Sequence, residues 1–237
     1  MTIGRLLVHL ASVALLVAVG VAHATVIPVI SGDGTETCTQ GPALTAGAPC
    51  TVHIINDLDT TWQTANPLGR GAEWISYNDT GPLETTLAPP RGSSANPDGT
   101  AVIAVFSEVL QALAGDVLTL SIWADDTVRI GIDGLTLFQP CFITAGDFLC
   151  PATPVAFDPA RGGSLQYTFG ATGLHTLVFE VYQTGVGTTP NGNPFGLLYS
   201  GELQRAVPEP ATVPLVGLGV LALAVVGRRG ARRHPLS

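Results

Sequence analysis

The residues whose types and spacing best suit chemistry are Asp125 and Asp126, adjacent carboxylates between a strand-like run ending at Trp123 and an alternating run through Val128, Ile130 and Ile132. Calcium takes about six to eight oxygens from carboxylates, amides and backbone carbonyls. Asp125 and Asp126 would supply such a site together with Asn191 and Asn193, which lie just before a late strand-like run, if the two turns come together. The other use of an aspartate pair is turn chemistry, in which the side chains cap the turn through hydrogen bonds to the backbone. The calcium-loop pattern D-x-[DN]-x-[DN]-G is absent, so both uses stay open. In either case the two carboxylates are expected to face solvent.

A carbohydrate ligand needs flat aromatic faces beside polar groups. Trp62, Trp74, Tyr77, Trp123 and Tyr199 are the available rings. Large aromatics dominate core packing, so most of these are expected inside. Trp62 is the expected exception, because it lies in the polar stretch Asp57-Leu-Asp-Thr-Thr-Trp-Gln; with Asp125 and Asp126 it makes the expected ligand-binding set.

Enzymatic chemistry finds little footing. His53 and His175 sit in β-like runs, and no nucleophile elbow, metalloprotease helix or phosphate loop accompanies them. Glu73, Glu84, Glu108 and Glu180 offer carboxylates for a glycoside hydrolase, whose chemistry depends on their separation in space. The expectation is a protein that is not an enzyme, with a secreted glycoside hydrolase as the enzymatic alternative. All ten basic residues are Arg. The acidic balance excludes a nucleic-acid-binding surface and permits divalent cations.

The elements that must position these residues read as strands. Runs rich in Val, Ile, Thr and aromatics occur at Thr51–Ile55, Ala72–Tyr77, Thr100–Ser107, Val117–Ala124, Thr127–Ile132, Ser164–Phe169, His175–Tyr182 and Phe195–Leu203, separated by Gly, Pro, Asn and Asp. This pattern predicts an all-β fold, an antiparallel β-sandwich or jelly roll. One short helix is expected around Glu108–Ala114. Asp125-Asp126 is read as the turn of a hairpin, and Asp133-Gly134 as a type I′ turn of the next one. Cys38 with Cys50 and Cys141 with Cys150 each bracket a short loop, and these local disulfides are the simplest of three connectivities.

Both ends carry targeting features. Arg5, the apolar run Leu6–Val21 and Ala22-His23-Ala24 form a secretory signal peptide over residues 1–24, cleaved by signal peptidase after Ala24. At the other end, Val207, Pro208, Glu209 and Pro210 precede an apolar stretch from Ala211 to Gly227, followed by Arg228, Arg229, Arg232 and Arg233. As a helix this stretch is about 25 Å long, enough for a short transmembrane span. The arginines would hold its end in the cytoplasm. This unit, residues 207–237, resembles the PEP-CTERM sorting signal recognised by exosortases. The resemblance implies transient anchoring in the inner membrane, processing by exosortase near Pro208–Pro210, and release to the cell surface or to an exopolysaccharide or biofilm matrix. Residues 25–206 are left as the β-sandwich domain.

Within that domain, the stretch from Leu118 to Gly134, the run Gly173–Tyr182 and the strand Gly196-Leu197-Leu198-Tyr199 resemble the protective-antigen-type domain of flocculin adhesins. The resemblance implies calcium at the Asp125-Asp126 pair and, through it, sugar hydroxyls. The functional expectation is an exported surface or matrix protein that binds polysaccharide with the help of calcium. The alternative is a structural matrix protein with no cofactor and no specific ligand.

Overall fold

The computed structural model describes residues 25–56, 58, 62, 70–142 and 161–205. The signal peptide, Asp57, Cys150 and the whole sorting unit from Val207 to Arg233, including Pro208, Glu209, Pro210, Arg228, Arg229 and Arg232, lie outside the described residues.

Among the described residues the strands are β1 (Val26–Ile30), β2 (Thr37–Gln40), β3 (Pro49–Cys50), β4 (His53–Ile54), β5 (Ile75–Ser76), β6 (Val102–Ala112), β7 (Val117–Asp125), β8 (Thr127–Ile132), β9 (Leu135–Phe138), β10 (Gly163–Thr168), β11 (Gly173–Tyr182) and β12 (Gly196–Gln204). They form two antiparallel sheets. The first runs β10-β7-β12-β5-β4, with β1 also paired to β12, and the second runs β3-β2-β6-β11-β8-β9. The fold is therefore an all-β sandwich.

Alternation decides which face of each strand enters the core. Leu118, Leu120, Ile122 and Ala124 of β7 point inward, as do Phe106 and Leu110 of β6, Val128, Ile130 and Ile132 of β8, and Leu177, Phe179 and Val181 of β11. Phe179 from the second sheet stacks on Tyr199 from the first, with ring centroids 4.3 Å apart. Trp123, one residue out of phase, belongs to a separate apolar cluster with Ile55, Trp62, Ala72, Trp74 and Leu198.

Two sequence expectations are corrected here. The helix expected around Glu108–Ala114 does not form. Glu108 to Ala112 continue β6, which pairs with β2 on one side and β11 on the other. Phe106, Glu108, Leu110 and Ala112 are buried while Val109 and Gln111 are exposed, a period of two. The inward Glu108 is what disguised this strand, since a carboxylate facing a core is unusual.

The second correction concerns Asp125-Asp126. β7 lies in the first sheet and β8 in the second, so the aspartate pair is a crossing between sheets rather than the turn of a hairpin. The next turn is a hairpin, as its sequence suggests: Ile132 pairs with Leu135, and Asp133 and Gly134 have φ of 50° and 83°. Positive φ at both central positions is the signature of a type I′ turn.

Cys38 and Cys50 face each other in the β2–β3 pair and are disulfide-bonded, with Cα atoms 5.0 Å apart. Cys141 is disulfide-bonded as well.

Candidate functional site

The crossing from β7 to β8 brings polar groups to one end of the sandwich. Asp125 closes β7 opposite Gly196 of β12. It lies on the same side of its strand as Trp123, away from the inter-sheet core. The peptide bond between Asp125 and Asp126 is cis.

The two carboxylates have different surroundings. Asp126 Oδ2 accepts hydrogen bonds from the backbone N–H groups of Thr184 and Gly185, both at 2.7 Å. Asp126 also donates its own N–H to the Tyr182 carbonyl. It thereby ties the crossing to the chain that leaves β11. Asp125 is 3% exposed, and its Oδ2 has no hydrogen-bond partner among the described residues. Burial first, and then the adjacent Asp126 charge and a hydrogen bond with Asp126, hold the Asp125 carboxyl well above the usual carboxylate range; the Arg161 charge pulls the other way. The expectation that both carboxylates face solvent is therefore corrected. A residue that spans two sheets is enclosed by the segments leaving them, where a hairpin tip would not be.

Asn193 joins this end from the segment before β12. Its Oδ1 lies against Gly185, where an added Cβ would come within 1.9 Å of it. Any side chain at Gly185 would displace Asn193. Asn193 is 5% exposed, and its Nδ2 is a second buried polar atom without a partner among the described residues. Gln183 braces the segment by donating to the Asn193 and Pro194 carbonyls. Asn96 in turn donates to the Gln183 carbonyl. Asp126 and Asn193 thus meet across Gly185, whereas Asn191 stays on an exposed turn closed by Thr189 and Pro190.

Asp125 Oδ2, the Asp126 carboxyl and the Asn193 side-chain oxygen are the hard oxygen donors that calcium prefers, so this end suits the ion in kind. A buried carboxyl oxygen left unpaired costs free energy that a cation or a proton relieves.

Trp62 does not serve as an exposed platform. It is 3% exposed and packs on Trp74 with ring centroids 4.3 Å apart. The reason is geometric: the outer side of the first sheet presents Trp74, Trp123 and Leu198, and an apolar ring is needed to cover them. Trp123 is roofed by Gly162, whose added Cβ would lie 2.6 Å from the indole. Trp74 and Tyr199 are fully buried.

The carboxylates considered for hydrolysis are spread through the fold. Glu108 faces the core, where its Oε2 accepts from the Tyr199 hydroxyl at 3.0 Å. Burial pushes Glu108 up to about 7, helped by the Asp33 and Glu36 charges and opposed by the Tyr199 bond. Glu180 leaves the opposite face of that sheet and pairs with Arg129. Glu84 bonds His53, and Glu73 is exposed.

With the geometry in place, residues 206–233 match the family model described as the PEP-CTERM protein-sorting motif. The chain carries a PEP-CTERM sorting motif. This motif implies an exported cell-surface protein processed by exosortase. No curated protein matches the chain. Among solved structures, it is similar to a family 35 carbohydrate binding module from Clostridium thermocellum, with a TM-score of 0.36 and 10% identity over 76% of this chain and 99% of that one. It is also similar to a CBM4 structure, with a TM-score of 0.30 and 12% identity over 75% and 95%. A third similar structure is the A domain of epithelial adhesin 9 from Candida glabrata in complex with Galb1-4GlcNAc, with a TM-score of 0.30 and 10% identity over 76% and 88%.

Proposed function

We propose that this PEP-CTERM protein is a non-enzymatic surface or matrix module that binds polysaccharide through a calcium ion held at the Asp125–Asp126 crossing. The observation that carries this reading is the buried Asp125 Oδ2, which has no partner among the described residues and is followed directly by a second carboxyl group. Calcium would draw on Asp125, Asp126 and Asn193, and sugar hydroxyls would complete its coordination. Asn191 and Trp62 take no part.

One observation favours a structural reading without ligand. Asp126 spends one oxygen on two backbone N–H groups, which is turn-capping work. Glycan-array binding separates the two readings. Binding that is lost with a chelator, and lost in the Asp125→Ala, Asp126→Ala protein when calcium is present, supports the calcium site. Binding indifferent to the chelator rejects it.

A further inference from the structure

A second polar cluster lies on the β4–β5 pair and the loop that follows it. His53 pairs with Ser76, so the chain leaving β5 returns beside the imidazole. That loop closes on itself through the Thr86 N–H on the Asp79 carbonyl and the Glu84 N–H on the Gly81 carbonyl. Thr80 fixes it to the start of β12, accepting from the Phe195 N–H and donating its hydroxyl to the Phe195 carbonyl.

Each carboxylate of the loop has one oxygen anchored. Asp79 Oδ2 accepts from the Thr85 hydroxyl at 2.5 Å, and Glu84 Oε2 from the Gly81 N–H at 2.7 Å. A Cβ at Gly81 would meet Ile55 Cγ2 at 2.4 Å and Glu84 Oε2 at 2.9 Å, so the Glu84 seat requires glycine there. The remaining oxygens converge on one nitrogen: Glu84 Oε1 lies 3.0 Å and Asp79 Oδ1 3.8 Å from His53 Nε2.

Hydrogen bonds already link the three side chains in a row, His53 to Glu84 and Glu84 to Asp79. Nε2 carries at most one proton, and Glu84 Oε1 takes it. Asp79 Oδ1 is beyond hydrogen-bond reach of Nε2, the Asp79 and Glu84 carboxyl groups hydrogen-bond to each other, and one ligand atom of each of the three residues lies within 4.8 Å of the other two. Glu84 is also a carboxylate whose side chain is only 7% exposed, a costly placement beside a second negative charge. A metal ion at the centre would take the place of the proton shared between the two carboxyl groups and pair with both. On a tetrahedral zinc with bonds of about 2.0–2.2 Å, neighbouring ligand atoms lie roughly 3.3 Å apart, between the 3.0 and 3.8 Å that separate His53 Nε2 from the two carboxylate oxygens. The imidazole selects zinc-class ions, since calcium and magnesium take oxygen ligands. Anchoring of the far carboxylate oxygens is the support such ligands ordinarily receive.

We propose that His53, Asp79 and Glu84 bind a divalent transition-metal ion of the zinc class. The side chains of His53 and Asp79 are 34% and 36% exposed, so the ion enters from solvent and keeps an open position for water. This site shares no residue with the calcium reading.

The test uses the full chain, stripped of metal, with Co2+ as a spectroscopic probe and Zn2+ as competitor. One equivalent of Co2+ should give a visible absorption band that Zn2+ abolishes, and Zn2+ at a hundredfold above its Kd should raise Tm by about 5–10 °C. Both effects should vanish in His53→Gln, weaken at least tenfold in Asp79→Asn, and persist in Asp125→Asn. A folded wild-type chain without band or Tm shift overturns the proposal, as does a band unchanged in His53→Gln, which would assign it to other ligands. If His53→Gln fails to fold, an unchanged cobalt affinity in Asp79→Asn overturns it equally.

Discussion

Asp125 and Asp133 stand at the two ends of β8, and each begins a reversal of the chain, yet they are treated in opposite ways. Asp133 is half exposed and fully used: Oδ2 bonds His175 Nδ1 at 2.6 Å, and Oδ1 accepts from the Thr176 N–H at 2.8 Å. Those bonds hold its carboxyl below the usual range, the Thr176 bond first, and the same pairing raises His175. Asp125 is buried, has an oxygen with no partner among the described residues and is held above the usual range. The first turn is complete within the chain. The second has an open valence that a proton fills, or, on the proposed reading, a calcium ion. An aspartate at a turn is therefore no sign of a ligand, whereas a buried and unfinished one is.

The comparison breaks most visibly at Asp126, the structural half of the crossing. Asp126→Ala removes an acceptor shared by two backbone N–H groups and should cost about 2–3 kcal/mol in denaturant unfolding without calcium. A loss within error would show that the crossing holds itself without this carboxylate.

Glu108 sharpens the comparison, because it is also a buried acid but has the Tyr199 hydroxyl as partner. Its folded pKa is raised to about 7, so its stability contribution is present at low pH and lost as pH rises from the ordinary glutamate range through about 7. Glu108→Gln should flatten the stability profile in that window and be about 1–2 kcal/mol more stable than wild type at about pH 8. Parallel profiles would place no titration at Glu108.

The smallest effect belongs to the finished turn. Asp133→Asn keeps a residue that tolerates positive φ and loses only a solvent-screened pair, for about 0.5 kcal/mol. The Asp133–His175 pair stabilises between the two shifted pKa values, so the loss should fade as pH falls through the lowered Asp133 pKa and as it rises through the raised His175 pKa. Dependence of this loss on calcium would contradict the distinction between the turns.

Much of the fold was legible where side chains alternate without interruption. Thr127–Ile132 was read with its observed bounds, and Asp133-Gly134 declared its turn because positive φ restricts the residue types allowed. Val26–Ile30 and Thr37–Gln40 were not legible as strands: they are short, Val26–Ile30 carries Pro28, and they pair with the distant β12 and β6. Asp125-Asp126 was legible as a reversal but not as a crossing, since a strand end looks the same whether the next strand joins its own sheet or the facing one. Trp62 was misjudged from polar neighbours in sequence, while its burial is set by Trp74, which packs against it only in space. His53, Asp79 and Glu84 left no signal at all, because a strand pair and a closed loop assemble them and no fixed spacing does.

The central claim, that Asp125 is completed by calcium, is most directly tested by thermal unfolding of the full chain with and without calcium across pH. A carboxyl held neutral in the folded state weakens the calcium-free protein as pH rises above the ordinary aspartate range. The account therefore predicts that calcium raises Tm, that the rise grows with pH as Asp125 releases its proton to solvent on binding the ion, and that Asp125→Asn abolishes the pH-dependent part while remaining folded. A Tm indifferent to calcium at every pH, or a calcium effect unchanged in Asp125→Asn, would contradict it.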